Sequence, residues 1–110
     1  SYHHGNLREA LIDAAVQLVE EGGPENVSVR EVAKRAGVSP GAPFRHFSSK
    51  TALMTAVAEQ AMSRFRLEIT DAVDNVATDD PIERFAAVGV AYLRWAIRNP
   101  THFQIISTGA

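Results

Sequence analysis

The sequence predicts an all-α fold. Apolar residues recur at spacings of three and four along most of the 110 residues, and no convincing stretch alternates apolar with polar residues as a half-buried strand does. Glycine, proline and capping residues separate the helical segments. With 45% apolar residues, the chain is long enough for one ordinary hydrophobic core and too short for two comfortable domains.

The first helix is predicted over residues 7 to 21. Asn6 and Glu9, three residues apart, have the spacing of a capping box at its start. Two glycines and a proline, Gly22, Gly23 and Pro24, follow the last apolar position and end the helix.

The second helix has the most sharply specified start in the chain. Ser28 and Glu31 have capping-box spacing, and Val27 and Val32 are placed as a hydrophobic staple. The helix runs to about Ala36, where the apolar pattern stops.

A tight turn and a short third helix are predicted next. Gly37 supplies the left-handed conformation of the turn, Val38 can fill the core and Ser39 can cap the third helix. That helix is short because Ser48 and Ser49 offer the next caps about ten residues later.

A long fourth helix follows, with one apolar stripe over 25 to 29 residues, roughly 40 Å at 1.5 Å per residue. Asp80 and Pro81 begin a fifth helix as a capping acid and a first-position proline. Asn99 and Pro100 end it and open a sixth.

Composition excludes several classes of protein. The absence of cysteine excludes a disulfide framework and a thiolate metal site, and suits a reducing cytoplasm. No apolar run approaches the roughly 18 residues of a membrane span, and residues 1–6 lack the order of a signal peptide. His3 and His4 are adjacent, do not face one point and have no evident third ligand, so we expect no metal site and no cofactor.

The net charge of −2 conceals a basic segment. Between Ser28 and Lys50 the only acid is Glu31, and five residues are basic: Arg30, Lys34, Arg35, Arg45 and Lys50. A local excess of this size is more often a solvated helix face, but here it coincides with a helix-turn-helix pattern.

A helix-turn-helix needs a small residue where its helices cross, a glycine at the turn and an apolar residue after it. Ala33, Gly37 and Val38 meet these needs, which leaves Arg30, Lys34 and Arg35 for an outer face near phosphates. Taken alone, the same pattern also occurs in plain αα-corners.

The surrounding sequence is more specific. The DNA-binding head of the TetR family of bacterial repressors is similar, almost end to end, to VSVREVAKRAGVSPGAPFRHFSSKTALMTAV. The signature of that family is an aromatic residue, a variable residue, His, an aromatic or aliphatic residue and then Lys at the next helix start. Here it is Phe44-Arg45-His46-Phe47 followed by Ser49-Lys50. The start, YHHGNLR, and the later RWAIRNPTHF also resemble one subfamily, so the similarity covers nearly the whole chain.

The resemblance implies a three-helix DNA-binding head joined by the long fourth helix to the first helices of an all-α effector domain. Residues 1–50 would form the helix-turn-helix domain, and residues 51–110 the connecting helix and an incomplete effector-binding and dimerisation domain. In the family several more helices follow, so we expect a truncated chain or part of a longer one.

The function implied is that of an effector-responsive transcriptional repressor in the bacterial cytoplasm, associated with the nucleoid. Its partners would be double-stranded DNA, as a palindromic operator, a small-molecule effector of unknown identity, and a second copy of the chain. Effector binding would move the fourth helix and change the separation of two recognition helices. Nothing in the sequence supports an enzyme. Two alternatives are a small-molecule sensor and a helical protein-interaction module, neither of which binds DNA.

The resemblance assigns roles to residues by position. Ser28, Arg30, His46 and Lys50 match phosphate-contacting positions, and Arg45 can read guanine O6 and N7. The positions that face bases are Ser39, Pro40, Gly41 and Ala42, of which Pro40 and Ala42 offer apolar contact to thymine methyls.

This chain departs from the family at two of these positions. Phe44 replaces a tyrosine whose hydroxyl donates to phosphate in many relatives, which leaves only stacking on sugar or methyl groups. Pro43 lies inside the recognition helix, where we expect it to tighten the first turn or delay it.

The effector pocket of the family corresponds to five residues of the later helices. For each of them, core packing is the more common role of such a side chain. They are Met62, Phe65, Tyr92, Trp95 and Phe103.

Overall fold

The computed structural model describes residues 6–107, whose regular elements are all helices with no strand among them, and it confirms the all-α prediction. Residues 1–5, including His3 and His4, and residues 108–110 lie outside the described part. The α-helices are α1 (Leu7–Gly22), α2 (Val29–Ala36), α3 (Lys50–Asp74), α4 (Pro81–Arg98) and α5 (Pro100–Ser107), with 3-10 turns at Pro24–Asn26 and Ala42–Arg45.

The chain divides into two compact units, with the boundary after Ala58 inside α3. We call them the N-terminal unit, described over residues 6–58, and the C-terminal unit, described over residues 59–107. The functional boundary between residues 50 and 51 that the resemblance implies stays a prediction.

The core of the N-terminal unit lies between α1, α2 and the first turns of α3. Each fully buried valine, leucine or isoleucine contributes roughly 1.5–3 kcal/mol relative to an exposed one. The most deeply buried of these side chains are Leu11, Ile12, Val32, Leu53 and Val57, with Phe47 buried beside them.

The start of α1 differs from the prediction. The side chain of Asn6 makes no capping hydrogen bond, and only its backbone carbonyl accepts, from the N–H of Ala10 at 3.0 Å. The predicted capping box with Glu9 is therefore wrong. The end of the helix agrees with the prediction, since Gly23 takes a φ of 86° directly after Gly22.

Three other predicted helix starts, those of α2, α3 and α4, are confirmed by their caps. The Oγ of Ser28 accepts from the N–H of Glu31 at 3.0 Å, and the Oγ of Ser49 accepts from the N–H of Ala52 at 3.1 Å. The carboxylate of Asp80 accepts from the N–H of Ile82 at 3.1 Å. Each bond satisfies a donor that the first turn of a helix would leave without a partner.

The third predicted helix is a 3-10 turn rather than an α-helix. It begins at Ala42, after Gly41, and no side chain caps it, so the predicted cap at Ser39 is wrong. The carbonyl of Ser39, not its hydroxyl, accepts from the N–H of Ala42 at 3.0 Å.

The C-terminal unit buries Ala91, Trp95 and Ile105 from α4 and α5. Along much of α4, in contrast, large apolar side chains are 42–78% exposed to solvent: Ile82, Phe85, Val90, Tyr92, Leu93 and Ile97. None of the described helices combines the length and apolarity that crossing a membrane requires. Within residues 6–107 no group of three or more acidic or histidine side chains is arranged to hold a metal ion.

Candidate nucleic-acid interface

Gly37 makes the turn that ends α2. Its φ of 75° and ψ of 30° are left-handed, a conformation that costs glycine no steric clash. The N–H of Gly37 donates to the carbonyl of Lys34 at 3.1 Å, and the N–H of Val38 donates to that of Ala33 at 3.0 Å. These two bonds form a Schellman motif, which fixes the direction in which the chain leaves α2.

Pro43 anchors the 3-10 turn that follows. It is among the most completely buried side chains, and its carbonyl accepts from the N–H groups of His46 and Phe47, both at 2.9 Å. The tightened geometry is the predicted effect of a proline, which has no N–H for an α-helical bond. Phe47 is also buried, so the turn is held to the core at both of these positions.

The side chains between these anchors point outward. Phe44, Arg45 and His46 are three consecutive exposed residues, and Phe44 is 55% exposed. A phenylalanine, an arginine and a histidine in one short turn give the surface an aromatic ring and hydrogen-bond donors side by side.

The predicted DNA-contacting residues all lie in the N-terminal unit. Ser28 and Lys50 are half-buried, and Ala42 is buried. The exposed ones are Arg30, Ser39, Pro40, Gly41, Phe44, Arg45 and His46.

Ala42 differs from its expected role. Its exposed fraction is 8% and it belongs to the hydrophobic core, so almost none of its methyl group is accessible to a thymine. Ala42 and the adjacent Pro43 both pack into the core, which sequence position alone did not reveal.

A groove of about 620 Å³ separates α2 from the chain after its turn. Two exposed cations, Arg30 and Lys34, line it together with Val38 and Pro40. Glu31 is the acid of this groove. The groove therefore carries a net positive charge beside the 3-10 turn.

Arg35 is exposed but, unlike Arg30 and Lys34, does not line this groove and is paired with an acid of α1. Its guanidinium donates two hydrogen bonds to the carboxylate of Glu21, each 2.7 Å long, and a third to the Oε1 of Gln17 at 3.2 Å. The place of Arg35 near phosphates stays a prediction, for a guanidinium that is already bonded to Glu21. The bond to Arg35 lowers the pKa of Glu21, and the same bond raises the pKa of Arg35. Gln17 and Glu21 are four residues apart on α1 and so lie on one face of it, where both accept from Arg35.

Four of the predicted effector-pocket residues pack against one another in the C-terminal unit. The ring of Phe65 meets those of Tyr92 and Trp95 edge to face, with centroids 5.4 and 5.1 Å apart, and Tyr92 meets Phe103 at 5.9 Å. Such contacts are typical of a packed aromatic cluster.

A groove of about 710 Å³ lies beside this cluster. Trp95 is the predicted pocket residue that lines it, and Met62 is half-buried elsewhere on α3. The other lining residues are mostly charged or polar: Arg64, Leu67, Glu68, Asp71, Arg98 and Asn99.

Residues 11–57, from α1 to the first turns of α3, match the family described as bacterial regulatory proteins, tetR family. The HTH-type transcriptional regulator BetI of Rhizobium meliloti (strain 1021) is 35% identical over 81 residues, which are 74% of this chain and 39% of that protein. BetI is named as a regulator, in agreement with the expectation that this chain is not an enzyme.

Solved structures share the fold. A protein of unknown function from Rhodococcus sp. RHA1 is 35% identical with a TM-score of 0.81, covering 96% of this chain and 54% of that one. A TetR-family transcriptional regulator from Streptomyces coelicolor is 26% identical with a TM-score of 0.77, covering 90% and 57%. The chain therefore spans about half of the length of the relatives that it matches.

Proposed function

Because this chain belongs to the TetR family of bacterial regulatory proteins, we propose that it is the DNA-reading part of a sequence-specific transcriptional regulator, an effector-responsive repressor. The proposal concerns the activity and partners of a full-length regulator. This chain spans about half the length of the relatives that it matches.

One observation carries the proposal. The Schellman turn at Gly37 and the buried Pro43 hold the exposed Arg45 and His46 on a short turn beside a groove with Arg30 and Lys34. Neutralisation of phosphates by such cations supplies much of the affinity of a protein for DNA. The net charge of −2 does not oppose this, because the acids are concentrated outside the segment.

The positions of these residues support separate roles in DNA binding, contact with phosphates and contact with bases. Arg30, His46 and Lys50 contact phosphates, and the fork of Arg45 reads a guanine edge. Ser28 is a phosphate contact as well as the cap of α2. Ser39, Pro40 and Gly41 face bases, whereas Ala42 is left out of the proposed set because it is buried.

The C-terminal unit would serve as the start of the effector-binding domain. Met62, Phe65, Tyr92, Trp95 and Phe103 are proposed to contribute its wall. In the intact regulator, a homodimer in the bacterial cytoplasm would bind a palindromic operator at the nucleoid. The effector would change the separation of the two 3-10 turns and so their match to the half-sites.

The test begins with selection of bound sites from a random duplex pool at low salt. We expect enrichment of related sequences, with binding to the recovered duplex that weakens steeply as salt rises. Failure of any sequence to rise above background would exclude the proposed function.

Charge-removing variants then locate the interface. Arg45→Ala with Lys50→Ala should weaken binding and reduce the slope of log K against log salt by about 1 for each lost phosphate contact. The matched control removes two exposed arginines of the C-terminal unit, Arg66→Ala with Arg94→Ala, and should leave both quantities nearly unchanged. Equal effects of the two double variants would contradict the assigned interface.

A further inference from the structure

Arg8 lies beside the 3-10 turn, although it belongs to the first turn of α1. Its Cζ atom is 5.4 Å from the centroid of the Phe47 ring, which is the distance of a cation–π contact. Phe47 is buried where the turn ends, whereas Arg8 is exposed. The fold of the N-terminal unit therefore adds to the basic segment a cation from outside residues 28–50.

The contact with Phe47 leaves the hydrogen-bonding groups of Arg8 available. A guanidinium is attracted to the face of a ring through its charge, so this contact requires none of its N–H donors. Within residues 6–107, no hydrogen bond or ion pair engages the guanidinium of Arg8. Arg35, in contrast, donates two hydrogen bonds to Glu21. Arg8 is therefore a cation with donors to offer to another molecule.

The charge of Arg8 is not explained by the stability of the chain. The N-terminal end of a helix carries a partial positive charge, which repels a cation in the first turn and favours an acid such as Glu9. At an exposed site, the attraction between a cation and a ring is of the same small size as this repulsion. The two effects nearly cancel, and an apolar side chain would cover the Phe47 ring without the repulsion.

Arg8 and His46 are both neighbours of the Phe47 ring. The imidazole of His46 is centred 6.2 Å from that ring, and the side chain is exposed. His46 is one of the proposed phosphate contacts. A guanidinium beside the same ring can reach the DNA backbone that His46 contacts, and its planar fork can hold two oxygens of one phosphate.

We infer that Arg8 contacts a phosphate of the DNA backbone and extends the proposed interface from the 3-10 turn onto the start of α1. The inference rests on the proposed function and adds to it a residue outside the helix-turn-helix. Arg8 also precedes the residues that match the family, which are 11–57. Phosphate contacts carry no base information, so Arg8 contributes affinity to any duplex rather than a choice among duplexes.

The test compares Arg8→Met with the wild-type 110-residue chain on two duplexes, the one recovered by selection and one of unrelated sequence. Methionine keeps a flexible, unbranched side chain over Phe47 and removes the charge. We expect the slope of log K against log salt to fall by about 0.9, the value of one phosphate contact on B-DNA. The ratio of wild-type to variant affinity should then grow about eightfold for a tenfold drop in salt, on both duplexes.

Further variants control for charge, position and folding. Arg8→Lys keeps the charge as a point cation, so it should keep the slope and lose only part of the affinity. Arg66→Met makes the matched substitution at an exposed arginine of the C-terminal unit and should change neither quantity. Circular dichroism and thermal unfolding check each fold, and Arg8→Gln, also uncharged, takes the place of Arg8→Met if methionine disturbs it.

Three results would overturn the inference. Wild-type slope and affinity in Arg8→Met would leave Arg8 as a cover for Phe47, and the proposed function would stand. Weaker binding by the same factor at every salt concentration would mean that Arg8 acts through the position of Phe47 rather than through phosphate. Absence of binding by the wild-type chain to either duplex would overturn the proposed function as well.

Discussion

The guanidinium of Arg35 donates two parallel hydrogen bonds to the carboxylate of Glu21, each 2.7 Å long. The contact joins the last turn of α2 to the end of α1, fourteen residues earlier in the chain. Bidentate pairing fixes orientation as well as distance. It holds α2 at the point from which the chain turns at Gly37 towards the 3-10 turn.

The ion pair should make stability depend on pH in a specific range. The hydrogen bond from Arg35 lowers the pKa of Glu21 below its ordinary value of 4.5 in the folded state. The unfolded state therefore binds the proton more readily, and the stabilisation present above pH 4.5 is lost as pH falls through the lowered folded pKa.

The measurement is urea unfolding of the wild type and Glu21→Gln between pH 7 and pH 3. We expect the wild type to be more stable near neutrality and the difference to shrink in acid. The effect is small because the two side chains are 34% and 57% exposed. Glu20→Gln, which removes a charge one position earlier, should show no comparable trend, and a difference that grows in acid would contradict the assignment.

Arg30 and Arg35 should differ in their effect on DNA binding although both belong to α2. Arg30 is exposed in the charged groove, so Arg30→Ala should weaken binding to the selected duplex and lower the salt slope by about 1. Arg35→Ala removes a cation that is already paired, so it should lower Tm and change the salt slope less. Titrations at several salt concentrations decide this, and equal slopes for the two variants would contradict it.

Ser48 and Ser49 are neighbours with different structural roles. Ser49 caps α3, so Ser49→Ala should destabilise the chain by about 1 kcal/mol. Ser48 is exposed and its hydroxyl is not the one that caps α3, so Ser48→Ala should change the free energy of unfolding by less than about 0.5 kcal/mol. Denaturant unfolding measures both, and a larger loss at Ser48 would move the start of α3.

Substitution by alanine should destabilise the chain at Gly37 and stabilise it at Gly89. Gly37 has a φ of 75°, so Gly37→Ala forces an alanine into the left-handed region and should cost about 1 kcal/mol or more. Gly89 is exposed inside α4 with no atom within 4 Å of an added Cβ. Gly89→Ala should therefore stabilise by about 0.5–1 kcal/mol, as read from thermal unfolding. Stabilisation by Gly37→Ala would rule out the turn geometry.

Local signals explain what the sequence predicted well. The ends of α1 and α2 and the starts of α3 and α4 depend on glycines, prolines and caps within a few residues of each boundary, and all of these are visible in the sequence. The length of α3 falls within its predicted range, at 25 residues, because one apolar stripe continues through it.

The differences arise where tertiary packing decides. Arg35 has the pattern of an outward cation, but its partner Glu21 is on another helix. Ala42 has the position of a base contact, yet the 3-10 turn places it in the core. The capping spacing of Asn6 and Glu9 is correct, but no side-chain bond forms there. These outcomes require knowledge of which elements face one another, and that information is not local.

The exposed apolar side chains of α4 also determine how this chain should be handled. Environment-sensitive dyes such as anilinonaphthalene sulfonate normally brighten when a protein loses its packing and uncovers apolar surface. Here Ile82, Phe85 and Ile97 are 77–78% exposed in the folded state, so the native chain already offers the dye a binding surface. Dye-based melting curves will therefore start from a high signal, and far-ultraviolet circular dichroism is the appropriate readout for every variant.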